Sequence, residues 1–345
     1  MRIGSLEAGR VFLAPLSGVA DSPFRRICKS FGADVVWSEM ISAVGLTKGN
    51  WRSRALMSFR EEERPIAIQL FGRDAGAMAE AARVVEEKVP DFIDINLSCP
   101  AGKIVSRGAG SALLREPDRA AEIVRAVVRA VRLPVTAKIR IGWDRAQINA
   151  VDVARMLEDC GVAAISVHGR TWEQGFRDRA SWPDVARVKQ AVGVPVVLSG
   201  DVTSPENAAR AFEETGCDAV MIGRGSFGRP WVFAAIASSF DGGGFVAPGP
   251  EAAREIALRH LDLAIEEFSE RIAIRRFRKH LLWYTKGMPG VVRLRELMCR
   301  VTSRAEADDI LSRLVRGGDG LGEKPEMGPE EPEAWPEVDP EVTLG

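Results

Sequence analysis

The chain has 345 residues, of which 46% are apolar and 28% are charged, and this composition supplies a large core and excludes a disordered or fibrous protein. Five widely spaced cysteines without a Cys-x-x-Cys pair, together with only three histidines, argue against a disulfide framework and a zinc site. The formal net charge is −1, and no apolar run reaches the roughly 18 residues of a membrane span. We therefore expect a soluble, cytoplasmic protein without a metal site.

Short runs rich in Val, Ile and Ala alternate with stretches of helical spacing, which is typical of βα units around a parallel sheet. Eight strands are predicted, at Val11–Leu16, Val35–Met40, Ile66–Phe71, Phe92–Leu97, Pro134–Arg140, Ala164–Arg170, Pro195–Gly200 and Ala219–Arg224. The predicted helices between them include Ala75–Lys88, Asp118–Val131, Val151–Cys160, Pro183–Val192 and Pro205–Thr215. Eight strands predict an α/β fold, a (β/α)₈ TIM barrel over residues 1–242, and disfavour a doubly wound open sheet.

The sequence changes character after a glycine-rich spacer at residues 241–244. No strand pattern follows, and the apolar spacing over residues 250–316 predicts a small all-helical domain. Within it, the stretch Arg271–Arg300 holds nine basic residues and one acid, Glu296. This surplus of positive charge is typical of a surface that binds a phosphate backbone. Residues 317–345 are acidic and rich in Pro and Glu, which predicts a disordered tail.

In a (β/α)₈ barrel the reactive side chains gather at the carboxyl ends of the strands. Glycines after the last two strands leave room for a phosphate group, with Arg224 as a further clamp. The Gly-x-Gly-x-x-Gly pattern at residues 223–228 follows the last strand instead of opening a βαβ unit, so a dinucleotide site is disfavoured. The segments at the predicted strand ends are Ala14–Gly18, Gln69, Asn96–Pro100, Lys138 with Arg140, His168–Thr171, Ser199–Asp201 and Gly223–Gly225.

Cys99 follows a strand end and lies in a loop with Lys103 and Arg107, whose charges are able to tune a thiol, so we predict a chemical role for it. His168 is the one histidine of the predicted barrel, and a functional role is favoured over that of a satisfied core histidine. Lys138 lies inside a strand, where a buried ammonium needs a partner such as a flavin or a phosphate. The other cysteines have the pattern of buried apolar residues; they are Cys28, Cys160, Cys217 and Cys299.

Several motifs follow one another along the chain. They are Ala14-Pro15 with Gly18-Val19 and Asp21, Gln69–Gly72, Asp94-Ile95-Asn96 with Cys99-Pro100, Lys138 with Arg140, Val167–Thr171, Gly200-Asp201 and Met221–Gly225. Together they resemble the dihydrouridine synthases, flavin enzymes that reduce uridine in RNA. The segment Arg278–Gly287 resembles the helical domain with which that family holds tRNA, so that the resemblance covers about residues 10–300.

The resemblance implies that FMN, reduced by NADPH or NADH, supplies a hydride to carbon 6 of the uracil, while Cys99 donates a proton to carbon 5 on the other face. It also implies that Asn96, Lys138 and Arg140 contact or orient the uracil, with Lys138 near the flavin as well. The further cofactor contacts that it implies are Ala14, Pro15, Leu16, Gln69, His168, Ser199, Gly200, Asp201, Gly223 and Arg224. The further RNA contacts are Arg170, Arg275, Arg278 and Lys279.

The same resemblance makes residues 250–316 an RNA-binding domain. A uridine buried in folded tRNA has to be flipped out to reach the mouth of a barrel, and an aromatic such as Trp283 or Tyr284 would assist this step. The expected partner is tRNA, with no DNA and no membrane, and we expect the chain to be a monomer.

Two alternatives stay open. The loop Asn96–Pro100 also resembles that of dihydroorotate and dihydropyrimidine dehydrogenases, so one alternative is a flavin oxidoreductase of a free pyrimidine, against which the basic stretch argues. The other is a non-catalytic RNA-binding barrel, since Leu16, Ser98 and Ser199 depart from the residues that are usual in the family. Two roles likewise stay open for the acidic tail: it keeps the protein soluble, or it competes with RNA for the basic stretch.

Overall fold

A computed structural model describes residues 1–317 of the chain, and the first of its two units, Met1–Ser226 with Pro230–Phe245, contains all the described strands. A short antiparallel hairpin comes first, and the remaining strands form one parallel sheet. The strands are β1 (Arg2–Ile3), β2 (Leu6–Glu7), β3 (Val11–Leu13), β4 (Val36–Trp37), β5 (Ile41–Ser42), β6 (Ile66–Phe71), β7 (Phe92–Leu97), β8 (Val135–Arg140), β9 (Ala164–His168), β10 (Val196–Ser199) and β11 (Ala219–Ile222).

The parallel sheet closes into a barrel. Its strands follow the order β3-β11-β10-β9-β8-β7-β6-β4, and β4 and β5 both pair with β6, so that they share one position in the wall. A single bridge between Phe12 and Val35 joins β3 to the chain just before β4. The predicted (β/α)₈ barrel is therefore confirmed, and the predicted strands at Ile66–Phe71 and Phe92–Leu97 have the bounds of β6 and β7.

Helices alternate with these strands, and several begin at a side-chain cap. Asp21 and Asp74 accept backbone N–H groups at the first turns of their helices, which satisfies donors that lack a partner within the helix. The helices of this unit are α1 (Ser22–Ser30), α2 (Ala43–Thr47), α3 (Trp51–Ala55), α4 (Ala75–Glu86), α5 (Gly102–Val105), α6 (Pro117–Ala130), α7 (Ala150–Asp159), α8 (Trp182–Ala191), α9 (Pro205–Thr215) and α10 (Val232–Phe240), with short 3₁₀ turns at Glu61–Glu63, Gly110–Arg115 and Arg224–Ser226.

The barrel interior is apolar at the amino ends of the strands and polar at their carboxyl ends. Phe12, Trp37 and Phe92 fill the apolar part. The ring centroid of Trp37 lies 5.6 Å from that of Phe12 and 5.4 Å from that of Phe92. Ile3 of the hairpin is buried in the same cluster, so the hairpin covers this end of the barrel. The polar side chains are thereby left for the opposite end, where a site is able to form.

The second unit comprises Phe227–Arg229 and the described residues from Val246 onward. Its helices are α11 (Pro250–Glu267), α12 (Glu270–Tyr284), α13 (Val291–Arg300) and α14 (Arg304–Val315). The predicted helical region after the barrel is thus confirmed. The predicted boundaries at residues 242 and 250, and the functions assigned to the two parts, stay predictions. Except for Gly317, the predicted tail at 317–345 lies outside the described residues.

The aromatic residues of this helical unit form its core. Trp283 and Tyr284 are buried, the Trp283 ring stacks on Phe227 with centroids 4.1 Å apart, and the Tyr284 hydroxyl lies 3.3 Å from Nδ1 of His260. Burial lowers the pKa of His260 to about 3, so this ring is neutral and packs like an apolar residue. The expectation that Trp283 or Tyr284 is available to RNA is wrong, because their apolar rings stabilise the unit from inside.

Candidate active site at the carboxyl ends of the strands

A chain of side-chain hydrogen bonds leads from the barrel interior to the loop of Cys99. Gln69 Nε2 donates to Asp94 Oδ2 at 2.7 Å, and Asn96 Nδ2 donates to Gln69 Oε1 at 2.7 Å. Asn96 Oδ1 accepts the backbone N–H of Cys99 at 2.9 Å. Asp94 and Asn96 are two residues apart on β7, so both side chains point into the barrel. The wall of the barrel therefore fixes the position of Cys99.

The Cys99 thiol is held in its protonated form. Burial raises its pKa, and the positive charge of Arg140 opposes this rise. Arg140 Nε donates to the carbonyl of Ser98 at 2.9 Å, so the same guanidinium also holds the loop. Arg140 is thus the cation that acts on the thiol, in place of the predicted Lys103 and Arg107. A protonated thiol next to a fixed cation is able to donate a proton and leave a stabilised thiolate.

Positive charge surrounds His168. Burial lowers the pKa of His168 well below its usual value, and nearby cations lower it further, so the imidazole is neutral. Its Nδ1 atom is buried without a hydrogen-bond partner among the described residues. The cations responsible are Arg140, Lys138, Arg170 and Arg224, in order of decreasing effect. Their convergence is suited to an anionic ligand.

Lys138 lies in the barrel interior beside these groups. Burial and the charge of Arg140 together lower its pKa to about 7, and the charge of Asp94 opposes this change. Burial likewise lowers the pKa of Arg140 to about 10. The strand register explains the proximity, because Asn96 is opposite Lys138 and Arg140 is opposite His168. The sequence prediction that Lys138 points into a site is consistent with this environment.

Arg140 and Arg170 are buried and use their guanidinium groups on the protein itself. Arg140 Nη1 donates to the carbonyl of Thr171 at 2.7 Å, and Arg170 Nη2 donates to the carbonyl of Asp178 at 2.6 Å. Nη1 of Arg170 has no partner among the described residues. Their predicted contacts with uracil and RNA stay predictions, whereas their structural role is to hold the loop after β9.

The segment after β10 has a strained backbone that directs its side chains. Asp201 has a φ of +60°, and its carboxylate accepts from Arg170 Nη2 at 2.6 Å and from the backbone N–H of Ala180 at 2.7 Å. Gly200 has a φ of +116°, and a Cβ there would lie 2.9 Å from the Ala180 Cβ. Arg224 Nη2 lies 3.8 Å from Asp201 Oδ1. A glycine is therefore required where the chain approaches this cluster.

The ends of β3 and β11 lie side by side. Ala14 N–H donates to the carbonyl of Ile222 at 2.9 Å, and a Cβ at Gly223 would lie 3.7 Å from Leu16 Cδ2. Pro15 follows and is half-buried, while Ser199 of β10 is opposite His168 of β9. The structure thus brings the residues predicted around the cofactor to one end of the barrel. The set comprises Ala14, Pro15, Leu16, Gln69, Lys138, His168, Ser199, Gly200, Asp201, Gly223 and Arg224.

Sequence reasoning missed two aromatic features of this end. Phe176 is exposed, and its ring lies 6.2 Å from that of His168 and 5.3 Å from the guanidinium carbon of Arg224. Trp172 stacks on Trp143 with centroids 3.9 Å apart, and its Nε1 donates to the carbonyl of Pro100 at 3.1 Å. Trp172 directly follows the His168–Thr171 segment and Phe176 lies in the same loop, and this position after the end of a strand was the available signal.

The basic residues of the helical unit that were predicted to bind RNA differ in exposure and in hydrogen bonding. Arg275 is exposed and Lys279 is half-buried. Arg278, in contrast, donates through Nε and Nη2 to the carbonyl of Val301 at 3.0 Å and 2.8 Å. Its guanidinium therefore caps the carboxyl end of α13 and stabilises the helical unit. Cys299, predicted to be buried, is exposed on α13, because its position falls on the outer face of that helix.

Comparison with known proteins gives a family. Residues 12–316 match the family model described as dihydrouridine synthase. The tRNA-dihydrouridine synthase B of Xanthomonas axonopodis pv. citri is 42% identical over 319 residues, which cover 92% of this chain and 95% of that protein. The protein of the same name from Pseudomonas aeruginosa is 42% identical over 293 residues, which cover 84% of this chain and 88% of that protein.

Solved structures of similar shape have low sequence identity. A 2-naphthoyl-CoA reductase complex aligns with a TM-score of 0.54 at 13% identity, covering 70% of this chain and 52% of that chain. The 6-hydroxypseudooxynicotine amine oxidase of Pseudomonas geniculata aligns with a TM-score of 0.55 at 14% identity, covering 70% of this chain and 49% of that chain. At such identities the likeness concerns the fold alone.

Proposed function

The chain belongs to the dihydrouridine synthase family, and we propose that it reduces uridine in tRNA to 5,6-dihydrouridine with a bound flavin and with Cys99 as the proton donor. The observation that carries this assignment is the geometry of the Cys99 loop. Asn96 fixes its backbone from one side, and Arg140 holds the carbonyl of Ser98 from the other. A general acid has to be placed in this way before it donates a proton.

The residues of the barrel end fit a flavin that carries a phosphate. Nδ1 of His168 and Nη1 of Arg170 are buried donors or acceptors without partners in the described chain. Lys138, Arg140, Arg170 and Arg224 all act on His168, which leaves a surplus of positive charge that a phosphate and the polar edge of the flavin ring would balance. Gly200 and Asp201 both have positive φ values, a backbone conformation in which successive N–H groups would be able to face a phosphate.

We assign roles to these residues accordingly. Gln69, Lys138 and His168 would hold the ring and ribityl parts of the cofactor, and Gly200, Asp201, Gly223 and Arg224 would hold its phosphate. Ala14, Pro15, Leu16 and Ser199 would line the same site. Asn96, Lys138 and Arg140 would orient the uracil. Arg170 would contact the RNA.

The chemistry requires one hydride and one proton. When bound and reduced, the flavin supplies the hydride that adds to carbon 6 of the uracil. The Cys99 thiol breaks its S–H bond and delivers the proton to carbon 5. The thiolate that remains lies under the charge of Arg140, which opposes the effect of burial on its pKa. A proton from solvent then restores the thiol, and no net charge accumulates in the site.

The substrate assignment to tRNA rests on the relatives, whose names specify tRNA, and on the exposed basic residues of the helical unit, among them Arg275. The extent of the alignment also supports this assignment, because the aligned region covers 95% of the Xanthomonas protein. Both alternatives, oxidation or reduction of a free pyrimidine and a non-catalytic RNA-binding barrel, are disfavoured by this family membership.

Finer features belong to the same proposal. We propose FMN as the flavin, NADPH or NADH as its reductant, a monomeric chain and a cytoplasmic location, with no role for DNA. The described helices include none that is long and apolar enough to cross a membrane. Sedimentation of the purified chain tests the oligomeric state, and reduction rates with the two nicotinamides test the reductant.

The decisive experiment uses the purified full chain loaded with FMN under anaerobic conditions. The flavin is reduced with NADPH, and tRNA from cells lacking this gene is added beside a control of free orotate. We expect flavin reoxidation with tRNA alone, with dihydrouridine appearing in the tRNA by mass spectrometry. Reoxidation by orotate alone would transfer the protein to the free-pyrimidine enzymes, and binding of tRNA without any reoxidation would support the non-catalytic barrel.

A further inference from the structure

A pocket of about 580 Å³ lies at the rim of the barrel beside the Cys99 loop. Its lining includes Arg73, Arg107, Arg115, Glu116 and Trp143. The chemistry described above uses none of these residues. Arg107 was predicted to tune the Cys99 thiol, but Arg140 is the cation that does so. The positive charge of the pocket therefore needs a different explanation.

The lining carries a surplus of two positive charges. Three arginines line the pocket with one glutamate, and the remaining lining residues are uncharged. Arg73 binds Glu116 through two hydrogen bonds, both of 2.8 Å, so this pair is neutral. The side chains of Arg107 and Arg115 are exposed. Two guanidinium groups are thus available for an anion from outside.

Stacking orients one of these guanidinium groups. The guanidinium carbon of Arg115 lies 4.8 Å from the centroid of the Trp143 ring, which is a cation–π contact. The Trp143 ring also stacks on Trp172, with ring planes 12° apart. Because Arg115 loses little further rotational freedom on binding, a ligand of this pocket binds at a lower entropic cost.

The pocket is connected to the site of proton donation. Trp172 Nε1 donates to the carbonyl of Pro100, the residue that follows Cys99. Val105 and Ser106, which also line the pocket, are at the end of α5, the short helix that follows Cys99. The backbone N–H of Ser111, in the 3₁₀ turn that ends with Arg115, donates to the carbonyl of Cys99 at 3.1 Å. The pocket therefore lies next to Cys99, where a strand whose base reaches the thiol would place a neighbouring phosphate.

We propose that this pocket is a phosphate subsite for the RNA strand that carries the target uridine, with Arg107 and Arg115 as its ligands. This inference rests on the proposed function, because it takes RNA as the substrate. Arginine suits the role, since its planar group matches the geometry of a phosphate and stays charged at all physiological pH values. The subsite belongs to the barrel and is additional to the basic residues of the helical unit.

The test compares the full wild-type chain with two double variants that each lose two positive charges, and with a third that keeps both charges. R107A/R115A removes the proposed ligands. K88A/R132A removes two exposed positive charges three or four residues before β7 and β8, at the opposite end of the barrel. Binding of an unmodified tRNA transcript is measured over a range of salt concentrations, together with single-turnover uridine reduction.

We expect R107A/R115A to weaken tRNA binding on the order of tenfold near 0.1 M salt, and to lower the slope of log affinity against log salt by about 1.4, as for two single-strand phosphate contacts. K88A/R132A should leave both values near those of the wild type. R107K/R115K keeps the charge and should recover most of the salt slope. The reduction rate at saturating tRNA should stay within about twofold in all variants, since uniform binding energy changes KM rather than kcat.

Equal tRNA affinity and salt slope for R107A/R115A and K88A/R132A would overturn the subsite while leaving the proposed function in place. A wild-type chain that neither binds nor reduces the transcript would overturn the proposed function, and this inference with it. A loss of reduction rate at saturating tRNA with unchanged affinity would also contradict a phosphate subsite, because it would point to a role of the arginines in the chemistry.

Discussion

Asn96 and Cys99 are joined by a hydrogen bond of 2.9 Å from the backbone nitrogen of Cys99 to Oδ1 of Asn96. The same oxygen also accepts from the backbone nitrogen of Ser98 at 2.9 Å, while Nδ2 donates to Gln69. One side-chain amide therefore connects the loop of the proposed acid to the neighbouring strand of the barrel wall. The position of the thiol depends on this amide as much as on the loop itself.

Substituting Asn96→Ala should destabilise the fold and slow the reaction. It leaves two buried backbone N–H groups without an acceptor, at a cost of about 1–3 kcal/mol each. We expect a loss of this order in the free energy of unfolding, measured with urea. Asn96→Asp keeps an acceptor for both N–H groups but replaces Nδ2, the donor to Gln69, with an oxygen, so it should lose stability yet keep the N–H groups of Ser98 and Cys99 protected from hydrogen exchange, unlike Asn96→Ala. Equal exchange protection of these two groups in both variants would show that Oδ1 does not hold the loop.

Uridine reduction should fall with rising pH as Cys99 loses its proton. Burial raises the pKa of this thiol above its ordinary value of 9.0, so the acid form persists through neutral pH and is lost only above it. Single-turnover reduction should therefore decline above about pH 9, separately from any change near pH 7 that the titration of Lys138 introduces. Cys99→Ala should lower the rate by about 10²–10⁴-fold, as for loss of a general acid. Unchanged FMN content and tRNA affinity serve as controls.

Lys138 should destabilise the flavin-free protein at neutral pH and below. Its pKa of about 7 lies below the ordinary 10.5, so the fold favours the neutral form. The penalty is complete below pH 7 and vanishes near pH 10.5, where the lysine is neutral whether folded or unfolded. Lys138→Met should raise the free energy of unfolding by about 5 kcal/mol near pH 6. The exposed Lys88→Met is the matched control and should show no such pH dependence.

Trp172→Phe tests the link between Trp172 and the Cys99 loop. Phenylalanine keeps an aromatic ring against Trp143 but loses the Nε1 donor to the carbonyl of Pro100. We expect faster alkylation of Cys99 by iodoacetamide and a kcat lower by several-fold, since one lost hydrogen bond is worth about 1 kcal/mol. Trp51→Phe, at a ring that is 71% exposed, should change neither. Unchanged alkylation in Trp172→Phe would contradict the link.

Arg275 and Arg278 should respond differently to replacement by alanine. Arg275 is exposed, so Arg275→Ala should weaken tRNA binding and leave the melting temperature unchanged. Arg278 holds the carbonyl of Val301, so Arg278→Ala should lower the free energy of unfolding by about 1.5–3 kcal/mol, the worth of hydrogen bonds to a charged group. If Arg278→Ala weakens binding without any loss of stability, its structural assignment is wrong.

The fold was predictable where a strand is a continuous buried run. Ile66–Phe71 and Phe92–Leu97 are such runs, and all six residues of β7 are buried. The predicted strand Val35–Met40 was less regular, because Ser38, Glu39 and Met40 separate β4 from β5. Strand ends were predictable for the same reason, so Cys99, Lys138 and His168 were correctly expected at one end of the barrel.

The partners of the long cationic side chains could not be predicted. Arg140 bonds the carbonyls of Thr171 and Gly175, which lie more than thirty residues further along the chain. Arg278 bonds Val301, 23 positions away. A backbone carbonyl leaves no mark in the sequence, since every residue carries one. The motifs therefore indicated which arginines matter, and the tertiary structure alone distinguishes those that hold a loop from those that face solvent.

The number of register pairs between neighbouring strands varies around the barrel. β7 and β8 share five register pairs, whereas β3 meets the chain near β4 through the single bridge of Phe12 and Val35. The seam between β3 and β4 therefore has fewer register pairs than the wall at β7 and β8, and it would part at a smaller cost. Ala14 directly follows β3, and Gln69 lies on β6, which pairs with β4 on the other side of the seam. A cofactor in contact with both residues would span the seam and stabilise the closed ring.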